Sequence, residues 1–238
     1  MNAVVVIEPA GRLKLNVEMI TSELLLVGVY LKWIFEINAV AFNLLWVLIM
    51  AIVANVHTLK AAKLRIRPFF LSSLVAILLG TAVPALIFIC LVIQPEPLLD
   101  AQYLVPIWGM LLGNCLRSNI ISLDRFFSLV RDSRKVVQTR LALGATLSEA
   151  LRPFMRQALR ATVMPIITTI STLGIVSLPG MMTGQILGGS LPMVAIQYQI
   201  CIMIAIFSAI SMTASLNMLL SLRIGFDRFG NLRRSIFQ

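Results

Sequence analysis

Long apolar runs alternate with short blocks of basic residues along this chain of 238 residues. An apolar run of about 20 residues can cross a bilayer as a helix, because the hydrocarbon core is about 30 Å thick. The pattern predicts six such helices, near residues 17–35, 39–56, 68–93, 104–123, 161–178 and 195–222. We therefore expect an all-α fold, a polytopic transmembrane helical bundle of about six spans in a single transmembrane domain covering residues 1–238.

The basic residues fall in alternate connections between these helices. Of the 20 lysines and arginines, 18 lie before the first span, between the second and third, between the fourth and fifth, or after the sixth. Cytoplasmic loops carry such an excess of Lys and Arg. This bias predicts a multi-pass protein of the inner (plasma) membrane with both termini in the cytoplasm. The apolar run Ala3 to Ile7 is too short for a signal peptide or a span.

Composition agrees with a membrane protein. Apolar residues make up 59% of the chain, charged residues 13%, and the mean hydropathy is +0.93. The net charge of +10 does not indicate nucleic-acid binding, because the basic residues form blocks between apolar runs instead of one continuous face. The expected partner is the lipid bilayer. The three cysteines show no metal-binding or redox spacing and are interpreted as packing residues.

The sequence lacks the motifs of common enzymes. There is no phosphate-binding GxxxxGK[ST] loop, no HExxH, no nucleophile elbow, and only one histidine, His57. We therefore expect no catalytic activity and no cofactor. Without a phosphate-binding loop, the sequence shows no site of its own for nucleotide hydrolysis.

One uncharged segment, Ser177 to Ser190 (SLPGMMTGQILGGS), is repeatedly interrupted by proline and glycine. These residues oppose a continuous helix, and irregular backbone at membrane depth requires cover by protein or water. The segment is therefore either a lining or gate of a transport pathway or an external connection between two spans. The candidate pathway residues are Pro179, Gly180, Met181, Met182, Thr183, Gly184 and Gln185, with Asn114 from the fourth span. Thioether, amide and hydroxyl groups together do not identify one metal, so the sequence leaves the identity of the ion open.

Residues 124–160, between the fourth and fifth spans, are polar and periodic. The spacing from Phe126 to Leu141 predicts an amphipathic helix that continues out of the fourth span. Gly144 predicts a stop, and Thr146 with Glu149 has the spacing of a capping box, so a second helix should start near Leu147 and be limited or bent by Pro153. The region is either a coupling element, with Gly144, Ala145, Thr146 and Glu149 at its turn, or an ordinary basic cytoplasmic loop.

Three motifs carry a resemblance to a known family: LPGMMTGQILGG at 178–189, LALGAT at 141–146 and AIQYQI at 195–200. Together they resemble the FetB-type iron-export ABC transporter permeases, a family shared with plant aluminium-tolerance permeases, from about Val17 to Leu222. The resemblance implies a permease subunit that works as a homodimer with a separate ABC ATPase. It also favours the coupling interpretation of residues 124–160, although QTRLALGAT keeps only the glycine of the importer signature EAAxxxG.

The resemblance leaves two alternatives to metal export. One is export of a small organic substrate, and the other is a non-transporting membrane scaffold or assembly protein descended from such a permease. The second gains weight from three departures: family members usually begin with a complete helix before Val17, they tend to carry Gln at the position of Glu23, and their fourth span is usually neutral where this chain has Arg117.

Glu23 and Arg117 are ionisable residues within otherwise apolar spans. A lone charge near the bilayer centre costs about 2.5–3.5 kcal/mol on insertion scales. The sequence therefore predicts that the two form a charge pair. The alternative is that each reaches the cytoplasmic interface separately by snorkelling.

Overall fold

The computed structural model describes residues 25–175, 178–227 and 230–233. They form a bundle of helices, so the predicted all-α polytopic fold is confirmed. Residues 25–37 belong to helix α1. The other helices are α2 (Val40–Ala61), α3 (Ile66–Phe88), α4 (Ala101–Asp132), α5 (Arg134–Ala142), α6 (Leu147–Thr172), α7 (Gly180–Leu187) and α8 (Pro192–Gly225).

Four helices in the described residues are long and apolar enough to cross a membrane: α2, α3 with its extension, α4 and α8. The extension of α3 is a π-helical turn, Ile89–Ile93, which ends where the Gln94 amide donates to the Ile89 carbonyl at 2.8 Å. The other two expected spans, 17–35 and 161–178, lie partly outside the described residues. The first of these has its described residues in α1, and the second has residues 161–172 in α6, with residues 173–175 and 178 beyond the end of that helix.

Two ends of the bundle can be named from α4, which begins after Asp100 and ends before Ser133. At the Asp100 end, Asn43 of α2 donates from Nδ2 to the Leu99 carbonyl at 3.1 Å, and the Ala101 amide donates to Asn38 Oδ1 at 2.9 Å. The opposite end, here the Thr146 end, holds α5 and the start of α6. Helices α2, α4 and α8 run from the Asp100 end to the Thr146 end, whereas α3 and α6 run the other way.

Helices α3 and α8 cross in close contact at Gly80. A Cβ atom placed on Gly80 would lie 2.8 Å from both the backbone nitrogen and the Cα of Thr213. Small residues let helix backbones approach in this way, and van der Waals packing is the main source of helix association in lipid. Gly80 therefore sets the distance between α3 and α8.

The core consists of two hydrophobic clusters stacked along the bundle. One, at the Asp100 end, includes Leu111, Ile77 and Ile206; the other, at the Thr146 end, includes Leu59, Phe126 and Met218. Buried polar side chains lie where one cluster gives way to the other. We call this set the polar layer: Asn55 and Thr58 of α2, Ser73 of α3, Asn119 and Ser122 of α4, and Asn217 and Ser221 of α8, all 0% exposed.

The Thr146 end agrees with the sequence in two respects and differs in two. Helix α4 continues past residue 123, and α6 begins at Leu147 behind a complete capping box, as predicted. The helix expected to continue to Leu141 is divided instead, because α4 ends at Asp132 and α5 begins at Arg134. Pro153 was predicted to limit or bend the second helix, and the limit is wrong, because α6 runs through Pro153 and Pro165 to Thr172. The bend stays a prediction. A proline frees carbonyl groups in the preceding turn. The carbonyl that Pro153 leaves without its usual amide donor is that of Glu149, and the neighbouring Ala150 carbonyl accepts a hydrogen bond from Arg140 Nη1 at 3.3 Å.

Candidate functional site

The Pro- and Gly-rich segment forms one short helix with irregular backbone on both sides. Pro179 is extended, with φ −65° and ψ 144°, and α7 begins directly after it at Gly180. The helix ends at Gly188, and Gly189 has φ +94°, a conformation that favours glycine. The Ser190 amide then donates to the Gln185 carbonyl at 3.0 Å. The prolines and glycines therefore fix both ends of a two-turn helix, which packs on α8.

Helix α7 closes a pocket of about 500 Å³ at the Asp100 end, which we call the Gln185 pocket. Helix α4 forms one wall, α8 another, and the end of α3 with its π-helical turn a third. The described lining residues are Phe88, Ile93, Gln102, Tyr103, Pro106, Ile107, Met110, Met181, Gln185 and Tyr198. None of these residues carries a charge.

Gln185 lines this pocket and carries an acceptor atom that is not used in a hydrogen bond. Its Oε1 atom is buried and has no hydrogen-bond partner among the described residues. A buried acceptor without a partner costs about 1–3 kcal/mol, so such a group usually meets water or a ligand. The thioethers of Met110 and Met181 and the phenol of Tyr198 share the same lining. Together these groups offer soft sulfur and neutral oxygen ligands to a cation.

The structure brings together some of the predicted pathway residues but not all. Met181 and Gln185 line the pocket, whereas Met182 is buried and the Thr183 hydroxyl donates to the Pro179 carbonyl at 3.0 Å. Pro179, Gly180 and Gly184 shape the α7 backbone and are not among the lining residues. Asn114 is not among them either, because its Nδ2 atom donates to the Met110 carbonyl of its own helix at 2.8 Å.

The residues that the sequence interpretation missed come from other helices. Tyr198 lies within the AIQYQI motif, and Gln102 and Tyr103 follow Asp100 at the start of α4. Gln199, beside Tyr198, is 4% exposed, and its Oε1 atom also lacks a partner among the described residues. Aromatic and amide residues near the start of an apolar span were the only available signal.

The structure describes one member of the predicted pair of Glu23 and Arg117. Glu23 lies outside the described residues. Arg117 is exposed on the surface of α4, and no ion pair of its side chain is present in the described part of the chain. The charge pair stays a prediction.

The turn before α6 has the geometry that its sequence predicts. Gly144 has φ +89°, and the Ala145 amide donates to the Arg140 carbonyl at 3.1 Å. The Glu149 amide donates to Thr146 Oγ1 at 3.3 Å, and the Thr146 amide donates to Glu149 Oε2 at 2.8 Å. These bonds satisfy two donors at the start of α6. The turn is exposed, which leaves it available for contact with another protein.

Glu149 should make the start of α6 sensitive to acid. The backbone amide of Thr146, and then the Thr146 hydroxyl, donate to the carboxylate and lower the pKa of Glu149 below its ordinary value. A carboxylate with a lowered folded-state pKa stabilises at neutral pH, and the contribution is lost as the pH falls through that pKa. We expect hydrogen-exchange protection of residues 147–150 to fall at acidic pH in the wild type.

The matched variant is Glu149→Gln, which keeps a capping box without a titratable group. It should show protection that is nearly independent of pH between pH 7 and pH 3. Equal acid sensitivity in both proteins would mean that Glu149 is not the titrating group.

Comparison with known proteins places the chain in a family. Residues 4–226 match the family described as uncharacterised protein family UPF0014. The chain belongs to the UPF0014 family. A UPF0014 membrane protein of Synechocystis sp. is 33% identical over 81% of this chain and 76% of its own length. No solved structure is significantly similar to the chain.

Two further relatives of this UPF0014 chain carry functional names. The probable iron export permease protein FetB of Escherichia coli is 31% identical over 90% of this chain and 80% of its own length. Protein ALUMINUM SENSITIVE 3 of Arabidopsis thaliana is 32% identical over 84% of this chain and 74% of its own length. These matches confirm the family resemblance that the motif LPGMMTGQILGG indicates.

Proposed function

We propose that this UPF0014 chain is the membrane-spanning permease subunit of an ABC transporter that exports a metal ion such as iron. ATP hydrolysis takes place in a separate ATPase subunit, and two copies of the permease work together. The observation that supports the proposal is the Gln185 pocket, where the segment shared with the iron-export family places a buried acceptor and thioethers in an uncharged cavity. The relative named as a probable iron export permease supports the same function.

The proposed orientation places the Thr146 end in the cytoplasm of a cell with the chain in its inner (plasma) membrane. Lys60, Lys63, Arg65 and Arg67 lie at that end, beside α5 and the start of α6, and an excess of basic residues is typical of cytoplasmic loops. The C-terminal end of α8 is then cytoplasmic as well. The Gln185 pocket lies at the opposite, external end, where an exporter releases its cargo.

The turn from Gly144 to Glu149 is the proposed contact with the ATPase. It joins α5, which follows α4 with only Ser133 between them, to α6, so a rotation of the turn is passed directly to two long helices. The polar layer and both hydrophobic clusters include residues of α4, so movement of this helix reaches the whole bundle.

Pocket size favours a second candidate, export of a small organic substrate. A volume of about 500 Å³ is within the range of small-molecule pockets, about 300–1,000 Å³, and exceeds what a single bare ion fills. Tyr103 and Tyr198 provide aromatic surface, and Gln102 provides an amide. A transport assay that offers metal ions and organic substrates separately distinguishes the two candidates.

Replacing Gln185 with leucine should impair export. The change removes the unpaired amide oxygen but keeps similar bulk, and one lost hydrogen bond or ligand of about 1–3 kcal/mol corresponds to roughly 5- to 150-fold in affinity. We expect ATP-dependent efflux of iron from cells that express the chain with its ATPase to fall by about tenfold.

The matched control is Gln197→Leu, because Gln197 is exposed on α8 and does not line the pocket. Both variants should insert into the membrane in equal amounts. Unchanged efflux in Gln185→Leu, or equal loss in both variants, would contradict a role for the pocket in transport.

A further inference from the structure

The polar layer is held together by side-chain amides that connect four helices. Asn217 Nδ2 of α8 donates to Ser73 Oγ of α3 at 3.0 Å and to Asn119 Oδ1 of α4 at 3.4 Å. Asn119 Nδ2 donates to the Cys115 carbonyl at 2.9 Å, and Asn55 Nδ2 donates to the Phe70 carbonyl at 2.9 Å. All three amide nitrogens of the layer are therefore used as donors.

The groups left over in the layer are oxygens. Asn55 Oδ1 and Asn217 Oδ1 are buried and have no hydrogen-bond partner among the described residues. The same holds for the hydroxyl oxygens of Thr58, Ser122 and Ser221. Five neutral oxygen atoms in one layer of a fully buried core thus lack partners.

The three hydroxyls differ from others in the same bundle. Serine and threonine hydroxyls in helices commonly donate to a carbonyl of the preceding turn. Thr81, Thr162 and Ser211 do so, with distances of 2.7, 2.8 and 2.8 Å to carbonyls four residues earlier. Thr58, Ser122 and Ser221 have no such bond in the described structure, so their oxygens are available to another group.

Helix direction brings the unpaired hydroxyls of α4 and α8 to one level. Helices α4 and α8 are parallel, because Tyr198 and Gln102 share the Gln185 pocket and Asn217 contacts Asn119 further along. Ser122 follows Asn119 by three residues, and Ser221 follows Asn217 by four, so both hydroxyls lie one turn toward the Thr146 end on the contacting faces. Leu59, Leu123 and Leu222, each next to a layer residue, pack in one cluster.

We propose that the polar layer is a binding site for a dehydrated alkali-metal cation, Na⁺ or K⁺, held by the amide oxygens of Asn55 and Asn217 and the hydroxyls of Thr58, Ser122 and Ser221. Neutral carbonyl and hydroxyl oxygens replace the hydration shell of such ions in membrane proteins. A divalent ion normally takes carboxylate ligands, and the layer as defined contains none. This site is separate from the Gln185 pocket and does not depend on the identity of the exported cargo.

A thermal-stability titration tests the site. The purified full-length chain in lipid nanodiscs is melted in choline chloride, with choline replaced stepwise by NaCl or by KCl at constant ionic strength. A ligand that binds only the folded state raises the Tm by mass action. We expect a saturable rise of roughly 5 °C with one of the two cations, and equilibrium binding of that radiolabelled cation at about one ion per chain.

Two variants and one control assign the effect to the layer. Ser122→Ala and Ser221→Ala each remove one unpaired hydroxyl without removing a hydrogen bond that the structure shows, so both should fold and should weaken the cation response about tenfold. Ser215→Ala is the matched control, because the Ser215 hydroxyl already donates to the Ser211 carbonyl at 2.7 Å. Its response should equal that of the wild type.

Two results would overturn the proposal. If the Tm is the same in choline, Na⁺ and K⁺, the unpaired oxygens of the polar layer bind water alone and there is no cation site. If Ser215→Ala loses the response as strongly as Ser122→Ala and Ser221→Ala, the cation acts elsewhere.

Discussion

Alanine at Gly80 is expected to destabilise the bundle by about 1–3 kcal/mol, because overpacking a closely packed contact costs this much. The added methyl carbon would lie 2.8 Å from backbone atoms of Thr213, which cannot move without shifting α8. Helices α3 and α8 would have to separate. They would then lose van der Waals contacts, which hold helices together in a bilayer, where no hydrophobic effect acts between them. We expect a lower Tm in nanodiscs and a lower yield of folded protein.

Gly113→Ala is the matched control for this prediction. Gly113 lies within α4, and a Cβ there would have nothing within 4 Å. Since alanine favours a helix over glycine by about 1 kcal/mol, this variant should be as stable as the wild type or slightly more stable. Equal Tm values for Gly80→Ala and Gly113→Ala would show that the α3–α8 contact is looser than described.

Tryptophan at Gly144 is expected to uncouple ATP hydrolysis from export. A side chain at φ +89° strains the turn, and its bulk would stand at the surface proposed to contact the ATPase. Coupling free energies of about 1–3 kcal/mol correspond to roughly 5- to 150-fold, and we expect a fall in that range in export per ATP hydrolysed. The measurement is efflux and ATP hydrolysis in the same membrane vesicles.

Gly174→Trp provides the control for backbone strain. Gly174 has φ +84° and open space around it, but it lies beyond the opposite end of α6 from Gly144. Its replacement should leave coupling unchanged while imposing a comparable local strain. Coupling that survives in Gly144→Trp, or is lost equally in Gly174→Trp, would contradict docking at the Gly144 turn.

Local features of the fold could be predicted from the sequence because their causes are local. The capping box needs only Thr146 and Glu149 three residues apart, and the ends of α7 need only Pro179 and Gly189. Pro153 misled the prediction for a different reason. A proline within a helix removes one backbone hydrogen bond without always ending the helix, and α6 continues through Pro153 in a chain where it packs on α4 and α8.

Features that depend on how helices pack could not be predicted. Met181 and Gln185 were identified from their own segment, but Tyr198 joins them only because α7 folds back on α8. Asn55, Asn119 and Asn217 are visible in the sequence as single polar residues in apolar runs. That they share one layer follows from the relative heights of α2, α4 and α8, which one sequence does not reveal. The contact of Gly80 with Thr213 could not be predicted for the same reason.

The uncharged lining of the Gln185 pocket has a consequence for the energetics of export. The described lining residues include no carboxylate or histidine that could carry protons in the opposite direction, so under the proposed function an exported metal ion moves its full charge across the membrane. Export is then electrogenic. Moving one elementary charge against 100 mV costs about 2.3 kcal/mol, so a divalent ion costs about 4.6 kcal/mol. The rate of export should therefore rise when the membrane is depolarised, even at constant ATP and constant metal concentration.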